Sequence, residues 1–236
     1  YHTFLKGNYG FDFNNFLSLS STDELYNYAF QSNLFGFFSN YTLSKKQFNL
    51  ISGVHGNIYN RQHTGSEKTI GQLYQNTGYK NEISVFTKVD YSLKWFAFFA
   101  DVQYRYVNFD YKGLVALQKL DWHFINPKAG LSATLNNNSI LYYSVGYTGR
   151  EPTRNDMFGG NDDLLADSLG NAILSNTNPE FVLNHELGFR FQKEKMNFNA
   201  NLYYMDFQNE IVLDGKFVPN GLALTNNVEQ SFRAGI

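Results

Sequence analysis

One repeating pattern constrains the fold of this 236-residue chain more than any single residue does. Segments of alternating apolar and polar residues come in pairs joined by a short polar turn, and long connections separate successive pairs. The short turns are Ser44–Gln47, Leu93–Trp95, Asn136–Asn138 and Lys193–Lys195, and the long connections are Lys6–Asn33, Tyr59–Glu82, Phe109–Phe124, Arg150–Phe181 and Gln208–Gln230. Because short and long connections take turns, each kind lies at its own edge of an antiparallel sheet. This arrangement is typical of an outer-membrane β-barrel.

The predicted strands have one apolar and one polar face. In Phe96–Asn108, Phe and Tyr alternate with Asp101, Gln103 and Arg105, which a barrel would point into its lumen. Each strand has about ten residues or slightly more, which is the length that a tilted strand needs to cross a bilayer. Eight full strands are predicted, at Leu34–Leu43, Phe48–Ile58, Ile83–Leu93, Trp95–Asn108, Ile125–Leu135, Ser139–Gly149, Val182–Gln192 and Met196–Phe207, with partial strands at Tyr1–Leu5 and Ser231–Ile236.

Composition leaves two classes of β protein open. Aromatic residues make up 18% of the chain and charged residues only 17%, whereas soluble domains carry about 25% charge. A secreted, carbohydrate-binding β-sandwich also alternates, but its strands are shorter, so strand length favours the membrane. The net charge of −2 gives no electrostatic case for nucleic acid. The lack of cysteine excludes disulfides and thiolate metal sites.

An open sheet of ten strands cannot be a complete membrane protein. Each unpaired backbone group at its two edges would cost several kcal/mol in lipid. The chain is therefore interpreted as roughly half of a larger barrel. A self-closed eight-stranded barrel that acts as an anchor or adhesin is the alternative from another functional class.

A series of short motifs follows a recognisable order along the chain. They are Phe99–Arg105, Asn126–Leu131, Arg150–Asp156, Asn178–Glu180, Asn184–Arg190, Asn201–Phe207, Ile211–Leu213, Thr225–Asn226 and Arg233–Ile236. The series resembles the barrel of a TonB-dependent outer-membrane receptor, and Phe99–Arg105 resembles a strand of the Bacteroidetes-type branch.

This resemblance implies a 22-stranded barrel in the bacterial outer membrane, filled by an N-terminal plug domain. It implies uptake of a scarce nutrient, most often a ferric siderophore or similar iron chelate, with energy supplied by TonB. The expected partners are outer-membrane lipid, the plug, TonB through that plug, and the nutrient. The plug, the TonB box and the remaining strands are expected to lie outside this chain, and neither an enzymatic activity nor a cofactor is expected.

The candidate site residues lie where a strand enters the Arg150–Phe181 connection. Arg150, Glu151, Arg154, Asn155 and Asp156 surround Pro152, which ends strand pairing because it lacks an N–H. The arginines could face an anionic ligand or the plug. Alternatively, Glu151 and Asp156 neutralise them within a structural salt-bridge network, which is the favoured interpretation. On the predicted inner face, Glu186 and Arg190 are expected to pair with each other.

Other polar and aromatic residues receive simpler interpretations. His55, His63 and His123 are expected to be solvent-exposed near loops, and His185 is expected at the membrane interface. Asp162 and Asp163, with Asp156 and Asp167, lack the spacing of a calcium loop and are interpreted as solvated carboxylates. Aromatic residues near strand ends are expected to form two interfacial girdles, namely Tyr41, Tyr59, Tyr91, Trp95, Tyr106, Phe109, Trp122 and Tyr147.

Overall fold

The computed structural model describes residues 2–9, 26–67, 71–218 and 222–236. They form one sheet of ten antiparallel strands, in which each strand pairs with its neighbours in sequence. The strands are β1 His2–Tyr9, β2 Tyr26–Lys45, β3 Phe48–Glu67, β4 Gly71–Ser92, β5 Phe96–Lys112, β6 Leu120–Asn136, β7 Ser139–Arg150, β8 Glu180–Lys193, β9 Met196–Phe217 and β10 Ala223–Gly235. One short helix, α1 Arg154–Met157, lies between β7 and β8.

The all-β prediction is confirmed, but the strands are longer than predicted. β2, β3, β4 and β9 have 20 to 22 residues each. Most of the predicted connections are continuations of strands, because pairing continues where both faces have become polar. Only Arg150–Phe181 remains a long irregular connection, and part of Lys6–Asn33 lies outside the described residues.

The single sheet contradicts both alternative folds. A β-sandwich would cover the outward aromatic rows with a second sheet, yet Phe98 and Tyr104 are each 43% exposed. A self-closed barrel would pair β1 with β10. In the described ranges β1 pairs only with β2, and β10 only with β9.

The short turns stand where the sequence pattern places them. Two-residue turns follow β2, β6 and β8 at Lys46–Gln47, Asn137–Asn138 and Glu194–Lys195, the commonest length for a hairpin. At the second turn, the Asn136 carboxamide accepts from the backbone N–H of Asn138 at 2.9 Å. These tight turns fix the register of the whole sheet at one end.

The register sorts each strand into two faces, because directly opposed residues share a face. The inner face is here the one covered by residues 151–179, and the outer face is the other. On the outer face of β3, the residues from Phe48 to Ile58 lack polar side chains except for Ser52, and this apolar stretch ends at Asn60. Ten steps along a strand tilted by about 40° rise about 25 Å, the height of the apolar band of a membrane barrel. The band ends at Asn33, Asn60, Asn81, Asn108, Asp121 and Asp206 on β2 to β6 and on β9.

This boundary crosses the sheet obliquely. The register row that contains Asp206 on β9 meets β2 at Tyr41, eight residues below the β2 boundary at Asn33. Eight residues correspond to about 26 Å and seven strand spacings to about 34 Å, so the boundary is inclined by about 38° to the rows. The strands of membrane barrels tilt by about 35–45°. The row consists of Tyr41, Ser52, Thr87, Val102, Pro127, Tyr147, Leu183 and Asp206. Its step from β6 to β7, from Pro127 to Tyr147, lies one residue beyond the Lys128–Gly146 pair.

The predicted aromatic girdles are confirmed in part. Tyr41, Tyr91 and Trp95 are exposed near the short turns, and Tyr106 and Tyr147 lie on the outer face. Tyr59, Phe109 and Trp122 lie on the inner face instead. Phe109 and Trp122 are buried there beneath residues 151–179, so the prediction was wrong for these three.

Candidate ligand-binding site at the long-connection end

Residues 151–179, here called the β7–β8 segment, fold back onto the inner face instead of extending into solvent. The segment contributes Met157, Phe158 and Leu164, which are 1–3% exposed. They pack against side chains of β5 and β6 in the hydrophobic core of the described residues, which consists of Val107, Phe109, Tyr111, Trp122, Phe124, Met157, Phe158 and Leu164. The segment is therefore packed against the inner side of the barrel wall.

A capping box fixes the start of the segment. The Thr153 hydroxyl accepts from the backbone N–H of Asp156, and the Asp156 carboxylate accepts from the backbone N–H of Thr153 at 2.8 Å. The same carboxylate accepts from the Thr225 hydroxyl on β10 at 2.7 Å. Asn176, near the end of the segment, donates to Thr225 as well, so both ends of the segment are attached to β10.

The buried Glu151 carboxylate connects the start of the segment to β4 and β5. Glu151 forms ion pairs with Lys80 on β4 at 2.5 Å and with Arg105 on β5 at 2.6 Å. Arg105 also contacts Glu82 at 3.2 Å. Burial alone would raise the pKa of Glu151, but the Lys80 and Arg105 cations hold its pKa below the ordinary value.

Arg154 joins the segment to β3 and β4. Its guanidinium donates to His63 Nε2, to Asn76 Oδ1 and to the carbonyl oxygen of Asp162, at 2.5, 2.9 and 2.5 Å. His63 is 7% exposed and packs edge-on against Phe30, 4.5 Å between ring centroids. Burial lowers the pKa of His63, although Asp162 opposes that shift. His63 is therefore neutral at pH 7 and accepts through Nε2.

A second polar contact holds the following residues. The Tyr111 hydroxyl donates a short hydrogen bond to Asp163, and Asn76 donates to the same carboxylate oxygen at 2.9 Å. Burial and the neighbouring Asp163 raise the pKa of Tyr111, so the phenol keeps its proton. Arg154, His63, Asn76, Tyr111, Asp162 and Asp163 form one cluster, here called the polar knot.

A cavity of about 360 Å³ lies between the segment and the inner faces of β2 to β6. Aromatic side chains and cations line it together, which suits an anionic ligand with apolar surface. Arg61 is exposed there, with its guanidinium 4.8 Å from the centroid of the Phe30 ring. The other lining side chains include Tyr59, Lys80, Phe109, Trp122, Arg154, Asn155, Asn161 and Leu222.

The structure brings some of the predicted site residues together and separates others. Arg105, Glu151, Arg154, Asn155 and Asp156 meet around the start of the segment. Asp101 and Gln103 lie lower on the inner face of β5, where Gln103 accepts from Asn126 at 3.1 Å. Arg150 makes a bidentate ion pair with Glu180 at 2.8 and 3.0 Å.

Several predicted pairings were wrong. Glu151 neutralises Lys80 and Arg105, and Asp156 caps α1, so neither carboxylate pairs with Arg150 or Arg154. The described residues contain no ion pair between Glu186 and Arg190. Residues four apart on a strand are about 13 Å apart, and the (i, i+4) neighbour relation belongs to helices.

The interpretation of the histidines was wrong in part: all three lie in strands instead of loops, and His63 is buried, whereas His123 is exposed as expected. His55 and His63 lie on the inner face of β3, and His123 lies on the outer face of β6. His185 lies on the outer face, as predicted, where its Nδ1 is 2.7 Å from the Tyr143 hydroxyl. His123 and Tyr104 form an equivalent pair at 2.8 Å.

The aspartates are mostly not the solvated carboxylates that the sequence suggested. Asp156 is 6% exposed, and Asp162 and Asp163 belong to the polar knot. Asp167 alone among the four is exposed, at a turn where it accepts from the N–H groups of Leu169 and Asn171. Across the described ranges, no three or more His, Asp or Glu side chains are placed to hold a metal ion.

Sequence reasoning missed the wall residues of the site. Segments that the sequence analysis interpreted as loops contain Lys80, Asn76, Tyr111 and Thr225. Without a predicted strand, the alternation of faces could not show that these side chains point inward. The Thr153–Asp156 spacing of a capping box was the one local signal that could have identified α1.

Across the described residues there is no helix of sufficient length and apolarity to traverse a lipid bilayer.

Comparisons with known proteins agree with this architecture. Residues 1–235 match the family model "TonB dependent receptor-like, beta-barrel". No curated protein sequence matches the chain. Among solved structures, the fold is similar to the "Copper transporter OprC", with a TM-score of 0.72 and 12% identity over 89% of this chain and 35% of that one.

Two further solved structures share the fold. One is the ferric yersiniabactin uptake receptor FyuA from Yersinia pestis, with a TM-score of 0.54 and 13% identity over 79% of this chain and 30% of that one. Another is BauA, the ferric preacinetobactin receptor from Acinetobacter baumannii, with a TM-score of 0.54 and 10% identity over 91% and 34%. The chain thus spans about a third of the structures it matches. It belongs to the β-barrel of the TonB-dependent receptors, which are transporters of the bacterial outer membrane and not enzymes.

Proposed function

We propose that the chain forms the ligand-capturing part of a barrel that imports an anionic metal chelate, namely a ferric siderophore or similar iron chelate, with energy from TonB. The cavity between the β7–β8 segment and the inner wall carries this proposal. It opens at the long-connection end, which faces outside the cell in bacterial barrels. Two structures of similar fold are named as ferric-chelate receptors.

The charge of the cavity supports an anionic cargo. The Arg154 guanidinium is hydrogen-bonded within the polar knot, and Lys80 forms an ion pair with Glu151. Arg61 is exposed and forms no ion pair within the described residues, so its cation is available for a carboxylate or another oxyanion. The Phe30 ring, which lies 4.8 Å from the Arg61 guanidinium, adds apolar surface to the lining of the cavity.

Uptake by cells that express the full-length receptor tests the proposal. Replacing Arg61 with Ala should reduce uptake of a limiting ferric chelate by about tenfold, the loss expected for one charge-assisted hydrogen bond. Uptake should also stop when the proton gradient that drives TonB is collapsed.

Arg190→Ala is the matched control. Arg190 is also an exposed arginine on the inner face, but it lies on β8 near a short turn and does not line the cavity. Equal uptake by the two variants, or undiminished uptake without the gradient, would contradict the proposal.

A further inference from the structure

The short-turn end of the sheet is rich in lysine. Residues 45–47, 93–95 and 193–195, at three of the four short turns, contain five lysines and one glutamate, which gives a net charge of +4. The fourth short turn, at residues 136–139, carries no charge. The five basic residues, here called the lysine rim, are Lys45, Lys46, Lys94, Lys193 and Lys195.

Two lysines of the rim lie on the outer face at equivalent positions. Lys45 is the last residue of β2, and Lys193 is the last residue of β8. Lys45 lies opposite Phe48, and Lys193 lies opposite Met196. Both partners belong to the outer face, and directly opposed residues share a face. The two lysines therefore point away from the lumen.

The lysine rim begins where the apolar band ends. Phe48 lies twelve residues below the boundary residue Asn60 on β3, and Met196 lies ten residues below Asp206 on β9. At a strand tilt of about 40°, these distances correspond to a height of about 25–30 Å, close to the thickness of the hydrocarbon core of a bilayer. Between the two edges, the described outer face of β2 to β9 carries no Lys, Arg, Asp or Glu.

The rim amines are free to bind a molecule outside the protein. All five lysines are exposed, and none forms an ion pair within the part of the chain that the structure describes. Lys94 contacts the exposed ring of Trp95, with its Nζ atom 5.2 Å from the ring centroid. Uncompensated cations thus stand beside an aromatic residue that suits the membrane interface.

Height and direction together identify the partner. Short turns of bacterial barrels face the periplasm, so the groups beside Lys45 and Lys193 are headgroups of the periplasmic leaflet. Lysine pairs with phosphate oxygens, and clusters of four to eight basic residues at a membrane surface select anionic lipids. The apolar band contacts acyl chains, which do not distinguish one headgroup from another. We propose that the lysine rim binds anionic phospholipid, such as phosphatidylglycerol, in the periplasmic leaflet.

Lipid retention by the full-length receptor tests this proposal. The receptor would be placed in nanodiscs that contain equal amounts of phosphatidylglycerol and of zwitterionic phosphatidylethanolamine, and its retained lipids would be counted by native mass spectrometry. Wild type should retain phosphatidylglycerol preferentially. Lys45→Gln/Lys193→Gln should weaken this preference about fivefold, the effect of one lysine on the headgroup beside it.

Lys88→Gln/Lys128→Gln is the matched control, because it removes the same charge from the inner face of β4 and β6. It should retain phosphatidylglycerol as wild type does. Equal retention of the two lipids by wild type, or equal loss of preference in the two double variants, would overturn the proposal.

A salt titration of the wild-type receptor tests the same proposal without a variant. At about 1 M NaCl the screening length falls to about 3 Å, so the preference for phosphatidylglycerol should largely disappear. A preference that salt does not change would show that the lysine charges are not its source, and would overturn the proposal.

Discussion

At the scale of single residues, the polar knot couples the position of the β7–β8 segment to the protonation of one histidine. His63 Nε2 accepts from Arg154, and Nδ1 lies 3.6 Å from Asp162 Oδ1. Adding a proton at Nε2 would place two cations against each other. The charged groups around His63 are Arg154, Arg61 and Asp162, and the pKa of Asp162 is itself lowered, so Asp162 does not titrate between pH 5 and 7.

Acidification should therefore loosen the segment. Because the pKa of folded His63 lies below 6.5, His63 takes up a proton more readily when the segment is undocked. The stabilisation is complete above pH 6.5 and is lost as the pH falls through the folded pKa, by up to about tenfold per pH unit. Amide hydrogen exchange of residues 153–164 in the folded receptor, corrected for the intrinsic rate, measures this effect between pH 7 and 5.

Two histidine variants separate this mechanism from general acid sensitivity. His63→Gln keeps an acceptor for Arg154 without a titrating ring, so its exchange should be independent of pH. His55→Gln, at the more exposed histidine beside Glu82, should keep the wild-type dependence. A pH dependence that persists in His63→Gln would exclude His63 as its source.

At the scale of elements, the sequence pattern predicts the repeated hairpins but does not predict that the β7–β8 segment folds back onto the inner face. The short turns and the inner and outer assignment of strands such as Phe96–Asn108 follow from period-two alternation, which is a local property. The strand extensions were missed because Tyr59–Glu82 is polar on both faces, so alternation of polarity ends there while backbone pairing continues. The docking of Arg154 onto His63 and Asn76 joins residues about 80 to 90 positions apart, and no local pattern encodes it.

The packing of the β7–β8 segment can be tested with two leucines. Leu164 is 3% exposed in the core, and Leu169, five residues later, is 84% exposed at a turn. Leu164→Ala should destabilise the docked segment by about 2–5 kcal/mol, whereas Leu169→Ala should change its stability by no more than about 0.5 kcal/mol. Limited proteolysis of the folded receptor measures the difference as faster cleavage between β7 and β8. Equal cleavage of both variants would mean that the segment is not docked.

At the scale of the whole molecule, three properties of the sheet agree with a membrane wall. The outer band is about 25 Å high, its boundary is inclined by about 38° to the register, and charged side chains concentrate on the inner face. Each property alone fits a soluble sheet, but a soluble sheet has no reason to end its apolar face along one oblique line. The wall therefore has lipid on one side, and on the other a surface shaped by the β7–β8 segment.

Neighbouring residues on β9 test which side faces lipid. Leu202 is outward, 47% exposed and four residues below the boundary at Asp206, and Asn201 is exposed on the inner face. Leu202→Arg places a cation near the middle of the band and should destabilise the barrel by about 2–4 kcal/mol. Asn201→Arg places the same charge on the same strand toward the lumen and should cost little. Refolding of the full-length receptor into lipid vesicles, followed by urea titration of its heat-modifiable mobility, measures both. If Asn201→Arg proved the more damaging, the two faces would be assigned the wrong way round.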